Sequence, residues 1–139
     1  MALILPAASE NNMLNFALGV TVPGNQYLKL YVTDVNTATD SLVVADFTEF
    51  GNTLGYSSPG KELTKTSWVV AQSGSVATAT YAPQTWTFTA GTAVTVYGYY
   101  VTDKTTGLLL WFEAFSTAKV VQNSGDQIII TPTITLSKV

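Results

Sequence analysis

The stretch that decides the fold reads Val94-Thr-Val-Tyr-Gly-Tyr-Tyr-Val-Thr102, then Asp103-Lys-Thr-Thr-Gly107, then Leu108-Leu-Leu-Trp-Phe-Glu-Ala-Phe115. Its two outer runs are rich in β-branched and aromatic residues, which favour strands. The residues between them are polar and end in glycine, a composition typical of hairpin loops of this length. The stretch therefore predicts two antiparallel strands joined by a short loop.

Shorter apolar alternations of the same kind occupy most of the chain from Tyr27 onward. Because turn residues recur roughly every 8–12 positions, the pattern favours a mainly β fold, an antiparallel β-sandwich, over alternating strands and helices. Pro132 cannot donate to a strand ladder, which indicates an edge strand or a bulge in the final strand. The further strands are predicted near residues 27–33, 42–50, 61–64, 67–71, 76–81, 84–89 and 127–136.

One short N-terminal helix, residues 9–19, is predicted ahead of the strands. Ser9 is suited to cap its first turn, and Gly19 is suited to its C-terminal end. One side of this helix is apolar, and we expect it to pack on the body; it comprises Met13, Leu14, Ala17 and Leu18. Residues 1–139 are predicted to form a single domain in which 1–8 are a candidate N-terminal arm.

The chain has 139 residues with no histidine and no cysteine, and its six basic residues are all lysine. It therefore lacks the usual proton shuttle, the thiol nucleophile, the soft metal ligands and the guanidinium that clamps phosphate. Charged residues make up 11% of the chain, well below the roughly 25% of typical soluble domains, while hydrophobic residues make up 47%. We expect this apolar excess to fill a core and protein interfaces.

The charge pattern argues against nucleic acid and membranes as partners. The net charge is −3 and the lysines are scattered, whereas nucleic acid and anionic membranes reward dense positive charge. No apolar run approaches the ~20 residues of a bilayer span. The opening Met1-Ala-Leu-Ile-Leu-Pro6 lacks the basic residues and the long apolar run of a secretion signal, so we expect assembly in the cytosol.

Two motifs resemble reactive sites, and in each the local sequence favours a turn. Ser58-Pro-Gly-Lys61 has the Ser-x-x-Lys spacing of serine acyltransferases, but its Pro-Gly pair favours a turn over the helix that would aim the lysine. Asp34, Asn36 and Asp40 resemble part of a calcium loop that lacks its glycine and its bidentate acid. The sequence thus predicts a protein that is not an enzyme, with no catalytic residue, no cofactor and no metal ligand.

Glu113 and the aromatic residues are two further candidates. Glu113 alternates with Leu109, Trp111 and Phe115, and burial on such a face would raise its pKa. Since no second acid or histidine is near it, we expect Glu113 to be solvated or paired with a lysine. A platform that stacks on carbohydrate or nucleobases is a second possibility, although such residues in strands more often fill a core or interface. Its members would be Trp68, Trp86, Tyr97, Tyr99, Tyr100 and Trp111.

The first residues hold a candidate partner interface. Leu3, Ile4 and Leu5 are consecutive apolar residues that precede the predicted helix. A terminal segment stays ordered only if something holds it in place. Two alternatives are open: the segment is a strand of the core, or it is an arm that docks on a neighbouring subunit.

Three segments toward the end of the chain resemble a group of small virion proteins of tailed bacteriophages. They are Val96-Tyr-Gly-Tyr-Tyr-Val-Thr-Asp103, Leu109-Leu-Trp-Phe-Glu-Ala-Phe115 and Asn123-Ser-Gly-Asp-Gln-Ile-Ile-Ile-Thr-Pro-Thr-Ile-Thr-Leu136. Thr85-Trp-Thr-Phe88 precedes them as it does in similar proteins. A short N-terminal helix followed by a Leu-x-Leu-Tyr strand also fits that group.

The resemblance implies a structural protein of the virion, assembled in the host cytoplasm and without catalytic residues. A capsid cement or decoration protein is the first expectation, a homo-oligomer whose partners are the major capsid protein and further copies of itself. A tail- or fibre-associated protein is the alternative, and a carbohydrate-binding module that uses exposed tryptophans is a third. Low charge and surplus apolar surface agree with a protein that binds a scaffold.

Overall fold

The computed structural model describes residues 6–35, 37, 39 and 41–137. Within these ranges the chain forms one α-helix, α1 (Ala7–Ala17), and nine strands. The strands are β1 (Gln26–Tyr31), β2 (Lys61–Leu63), β3 (Val69–Ser73), β4 (Val76–Thr80), β5 (Gln84–Thr87), β6 (Val94–Asp103), β7 (Leu109–Val121), β8 (Gln127–Ile130) and β9 (Thr133–Ser137).

The described strands form three sheets in which every pairing is antiparallel. The main sheet has the order β2-β1-β6-β7, the small sheet has the order β3-β4-β9, and β5 pairs with β8. Side chains of the main sheet and of the β5/β8 pair meet in one buried cluster, for example Leu28 and Val101 with Trp86 and Ile128. This arrangement confirms the predicted mainly β, sandwich-like fold with one short helix.

The central hairpin is confirmed, with β6 and β7 as its strands. Tyr99 lies opposite Glu113 and Tyr100 lies opposite Phe112. In the loop, Gly107 has φ 72°, which favours glycine, and its N–H donates to the carbonyl of Asp103 at 2.9 Å. Strand β7 continues to Val121, beyond the predicted end.

A bulge in this hairpin changes which residues face the core. Thr102 lies opposite Leu109 and Val101 lies opposite Trp111, so Leu110 is the extra residue. As a result Leu110 and Trp111 both join the large core cluster, while Leu109 packs on the opposite face of the sheet. The predicted face that placed Leu109 with Trp111 is therefore wrong at Leu109.

Residues 42–50 cover this opposite face, and the predicted strand there is wrong. The segment contains a 3-10 turn over Val44–Asp46. Its strand-like pairing with the main sheet is limited to one β-bridge, between Glu49 and Tyr31. The Asp46 carboxylate accepts a hydrogen bond from the N–H of Val43 at 2.8 Å, which fixes the turn. Phe47 then packs against three aromatic rings at centroid distances of 5.0 to 5.1 Å, those of Tyr31, Tyr100 and Phe112. The apolar residues of this segment pack against the main sheet and do not form a paired strand.

Helix α1 begins two residues earlier than predicted, and a different side of it faces the body. Pro6 takes the capping position, while Ser9 is buried inside the first turns and its hydroxyl donates to the carbonyl of Leu109. Phe16 packs on the core, whereas Leu14 and Leu18 are exposed, so the predicted packing face is wrong. The predicted glycine end is confirmed, since Gly19 has φ 69°. In the described part of the chain no helix has the length and apolar character needed to cross a bilayer.

Pro132 breaks the predicted final strand into two strands that belong to different sheets. Strand β8 pairs with β5, and β9 pairs with β4. Between them the carbonyl of Pro132 accepts a hydrogen bond from the N–H of Tyr81 at 2.9 Å. The proline therefore marks a crossing between sheets, and the predicted edge strand is confirmed because β9 is the outer strand of the small sheet, whereas β8 and β9 show no bulge.

Substituting Gly98 tests how closely β6 and β7 approach. A Cβ there would lie 2.2 Å from the carbonyl oxygen of Glu113 and 2.6 Å from the hydroxyl of Tyr31. We expect Gly98→Ala to lower the free energy of unfolding by about 2–4 kcal/mol in urea melts, because backbone must move. Gly51→Ala is the matched control, since nothing lies within 4 Å of its added Cβ. Equal losses for the two variants would contradict the close approach.

Candidate functional site

The predicted interface residues Leu3, Ile4 and Leu5 lie outside the described residues. The described chain starts at Pro6, which is fully buried at the beginning of α1. The arm and core-strand alternatives for these residues therefore both stay predictions.

The two motifs that resemble reactive sites differ in how far the structure describes them. Ser58-Pro-Gly-Lys61 forms a turn in which Gly60 has φ 84°, and Lys61 begins β2 with its ammonium 5.8 Å from the centroid of the Trp86 ring. Asn36 and Asp40 lie outside the described residues. Among the residues that are described, no group of three His, Cys, Asp or Glu side chains could hold a metal ion.

The predicted aromatic platform does not form, because most of its members are buried. Trp86, Trp111, Tyr99 and Tyr100 are each at most 5% exposed. Tyr99 and Tyr100 also lie on opposite faces of the main sheet, in separate clusters. Trp68 is half-buried and packs edge-on against Trp111 at 6.0 Å. The alternative of a stacking platform is therefore not supported, and the expectation that these rings mainly fill the core is confirmed.

The sequence predicted that Glu113 would be solvated or paired with a lysine; it is half-buried, and no lysine of the described residues forms an ion pair with it. Its carboxylate accepts a hydrogen bond from the hydroxyl of Tyr99 at 2.5 Å, directly across the β6/β7 pair. Burial, together with this bond and the negative charge, holds the pKa of Tyr99 far above its ordinary value. The carboxylate thus satisfies a buried phenol, a structural task.

Glu49 performs the same task at a second position that the sequence analysis missed. Its carboxylate accepts a hydrogen bond from the Tyr56 hydroxyl at 3.0 Å and pairs with the Lys29 ammonium at 3.4 Å. Burial first, and then Glu49, raise the pKa of Tyr56 well above its ordinary value. Lys29 also lies 5.7 Å from the centroid of the Tyr100 ring. No motif in the sequence links these residues, because Lys29 lies on β1 and Tyr100 on β6, whereas Glu49 and Tyr56 lie between β1 and β2.

An open apolar groove of about 480 Å³ lies between α1, the start of β1 and the small sheet. Trp68 forms part of its wall, and its indole N–H donates to the side-chain oxygen of Gln26 at 3.0 Å. Trp111 also lines the groove, and its buried indole N–H has no acceptor among the described residues. The lining residues are Met13, Phe16, Val22, Pro23, Gln26, Lys65, Thr66, Trp68, Ala79, Leu110, Trp111 and Ile134.

Four exposed aliphatic residues lie in α1 and the segment that follows it, and we call them the apolar face: Leu14, Leu18, Val20 and Val22. Leu18 is 75% exposed and Val22, which also lines the groove, is 78% exposed. Leu14 and Leu18 are one helical turn apart and therefore neighbours on the surface. Four aliphatic residues within residues 14–22 were a usable signal, but the sequence analysis assigned Leu14 and Leu18 to the buried side of the helix.

The small sheet provides further uncovered surface. Every residue of β3 is exposed, and Val70 is 72% exposed. Leu136 of β9 lies opposite Ala77 and is exposed as well. The three strands of this sheet contain no charged residue. The groove, the apolar face and the small sheet are mainly apolar and together are chemically suited to protein contact.

No protein-family model matches this chain, and no curated protein matches its sequence. What the surface can bind therefore has to be argued from its own chemistry.

Alkaline pH tests the buried tyrosines. Burial, then the charges of Asp34 and Glu113, raise the pKa of Tyr31 to about 12, and the pKa values of Tyr56, Tyr99 and Tyr100 lie higher. Since these phenols stay protonated longer in the folded state, their contribution is complete below about pH 10 and is lost as pH rises. We expect urea melts to show stability falling above pH 10, by about 1.4 kcal/mol per pH unit for each such tyrosine.

Tyr31→Phe and Tyr99→Phe form a matched pair for this test. The Tyr31 hydroxyl is buried with no partner among the described residues, so its removal should leave stability at pH 7 unchanged or raise it by up to about 1 kcal/mol. Tyr99→Phe removes the donor to Glu113 and should cost about 1–3 kcal/mol. Equal losses at pH 7 would show that Tyr31 has a partner.

Proposed function

We propose that this chain is a structural protein of a tailed-bacteriophage virion, a capsid cement or decoration protein. It binds the major capsid protein and further copies of itself, and it joins the particle in the host cytoplasm. The observation that carries the proposal is the uncovered aliphatic surface formed by the apolar face and the groove. The resemblance of residues 96–136 to small virion proteins supplies the class of particle.

The energetics of burial favour this role. Fully burying an aliphatic side chain of this size contributes about 1.5–3 kcal/mol, and the apolar face alone presents four of them. The centres of protein interfaces are depleted of charge, and the exposed residues concerned here are uncharged. A shell also repeats each contact many times, so a modest contact per copy gives the whole particle substantial cohesion.

The polar groups of the core support a role without chemistry. Glu113 and Glu49 are the acceptors for buried tyrosine hydroxyls, and Glu49 also pairs with Lys29. Each carboxylate is therefore accounted for by the aromatic residue that it satisfies. Nothing in this arrangement places a nucleophile beside a base.

A tail- or fibre-associated role is the second candidate, because the same aliphatic surface would bind another virion component. A carbohydrate-binding module is less favoured, since Trp86 and Trp111 are buried and Trp68 is the one partly exposed tryptophan. The choice between capsid and tail depends on which component the surface recognises.

Replacing part of the apolar face tests the proposal. We expect the purified protein to sediment with preformed shells in near-stoichiometric amounts and to raise the temperature at which they rupture. The double variant Leu18→Ser with Val22→Ser should weaken shell binding at least tenfold while keeping its own urea midpoint, because both side chains are exposed. Ile129→Ser is the matched control, since Ile129 is exposed but belongs to the β5/β8 pair.

Binding to isolated tails but not to shells would overturn the capsid role in favour of the second candidate. A double variant that binds shells as well as the unaltered protein would remove the apolar face from the proposal.

Deleting residues 1–5 separates the two alternatives for Leu3, Ile4 and Leu5. If they form a docking arm, the truncated protein should lose shell or self-association and keep its free energy of unfolding. If they form a core strand, the loss of three buried aliphatic side chains should lower that free energy by several kcal/mol, at about 1.5–3 kcal/mol each. Urea melts and shell sedimentation of the same preparation distinguish the outcomes, and a destabilised protein that still binds would reject the arm.

A further inference from the structure

We infer that β3 is the edge at which two copies of this chain pair, β3 against β3 and antiparallel. The inference rests on the proposed self-association and names the surface that forms it. It does not depend on whether the partner particle is a capsid or a tail.

The first support is that β3 is an unprotected edge. It is the outer strand of the small sheet, and its other side has no strand partner in the described part of the chain. It pairs with β4 in continuous register from Val69 to Ser73, with no bulge, charge or proline. Natural proteins block free edges with such devices because an open row of N–H and C=O groups recruits another strand.

The second support is that the same chain protects its other sheet edges. Strand β2 has only three residues, and its Glu62 forms an ion pair with Lys104 at 2.9 Å. Strand β7 contains Glu113 and Lys119 and has irregular register. Pro132 immediately precedes β9, the opposite edge of the small sheet. Among the described outer strands of the two larger sheets, β3 and β9 both lack charged residues, and β3 is the one with no proline at its start.

The third support is that two copies of β3 match without conflict. A two-fold axis at Ala71 places Ala71 opposite itself, Val70 opposite Gln72 and Val69 opposite Ser73. No like charges meet, and directly opposed side chains contribute favourable contacts. An axis of this kind closes the pair, whereas pairing β3 with β9 would add copies without end.

The paired arrangement also places the aliphatic rows of the small sheet in one surface. Val70, Ala79 and Ile134 lie in one row across β3, β4 and β9. Since directly opposed residues share a face, the same face continues into the second copy, where Gln72 lies opposite Val70 and is followed by Ala77 and Leu136. Ala79 and Ile134 line the groove, so pairing would join the grooves of two copies through a six-stranded sheet.

Single cysteine variants test the register, because the chain contains no cysteine of its own. We expect Ala71→Cys to form a disulfide-linked dimer under mild oxidation, since residues opposed across an antiparallel pair have Cβ atoms about 4.5–5.5 Å apart. Ser73→Cys is the matched control, because two copies of that position would be offset by four residues, roughly 13 Å. Mixing Val69→Cys with Ser73→Cys should restore cross-linking.

A charge variant tests the same pairing without covalent chemistry. Ala71→Lys places two ammonium groups opposite each other and should raise the dimer dissociation constant at least tenfold, measured by light scattering or sedimentation. The variant should keep its urea midpoint, since Ala71 is exposed in the single copy. A dimer that is unaffected by Ala71→Lys, or that dissociates only on Leu18→Ser with Val22→Ser, would overturn the inference.

A protein that is monomeric at tens of micromolar and forms no Ala71→Cys dimer would also overturn it. Loss of shell binding with the β3 dimer intact would instead count against the proposed capsid role and leave the inference standing. Cross-linking through Thr135→Cys in β9, in place of Ala71→Cys in β3, would assign the contact to the opposite edge and reject the pairing.

Discussion

Strand β6 is buried on both of its faces, and the rest of the structure depends on that constraint. Tyr99 belongs to the core shared with the β5/β8 pair, while Tyr100 beside it packs in the cluster around Phe47. A strand with two buried faces needs two covers, because each large apolar side chain left in water would forfeit about 1.5–3 kcal/mol. The β5/β8 pair is one cover, and residues 42–50 are the other.

Burying tyrosines imposes a second requirement, because each phenol brings a hydroxyl that needs a partner. Tyr99 and Tyr56 find theirs in the carboxylates of Glu113 and Glu49. Tyr31 does not find one among the described residues, and its hydroxyl lies against the position where Gly98 has no side chain. The close approach of the Glu113 carbonyl and of the Tyr31 hydroxyl thus explains why position 98 is a glycine.

The features that could be predicted from the sequence are those that neighbouring residues determine. The β6/β7 hairpin follows from strand-forming residues around a polar loop, and Gly19 ends the helix as expected. The predictions that failed depend on contacts between residues distant in the sequence. The side of α1 that packs is set by the bond from Ser9 to Leu109, a hundred residues away in sequence. Residues 42–50 alternate like a strand, but Phe47 fills a space that only the folded sheet creates. The exposed Leu14 and Leu18 were missed for the same reason, since helical spacing defines a face without saying which neighbour exists to cover it.

Exposed aliphatic side chains are found on α1 and on the small sheet, and their position bears on function. Aromatic and aliphatic side chains together fill the two clusters on the faces of the main sheet, and Leu14, Leu18 and Leu136 lie outside both clusters as exposed residues. The two surplus surfaces differ in chemistry. The apolar face offers side chains, whose burial is not directional and suits a broad scaffold. Strand β3 offers backbone N–H and C=O groups, whose pairing is directional and suits a strand of fixed register. Under the proposed function the apolar face would bind the shell and β3 would bind a second copy, and because different residues form the two surfaces, both contacts could be made at once.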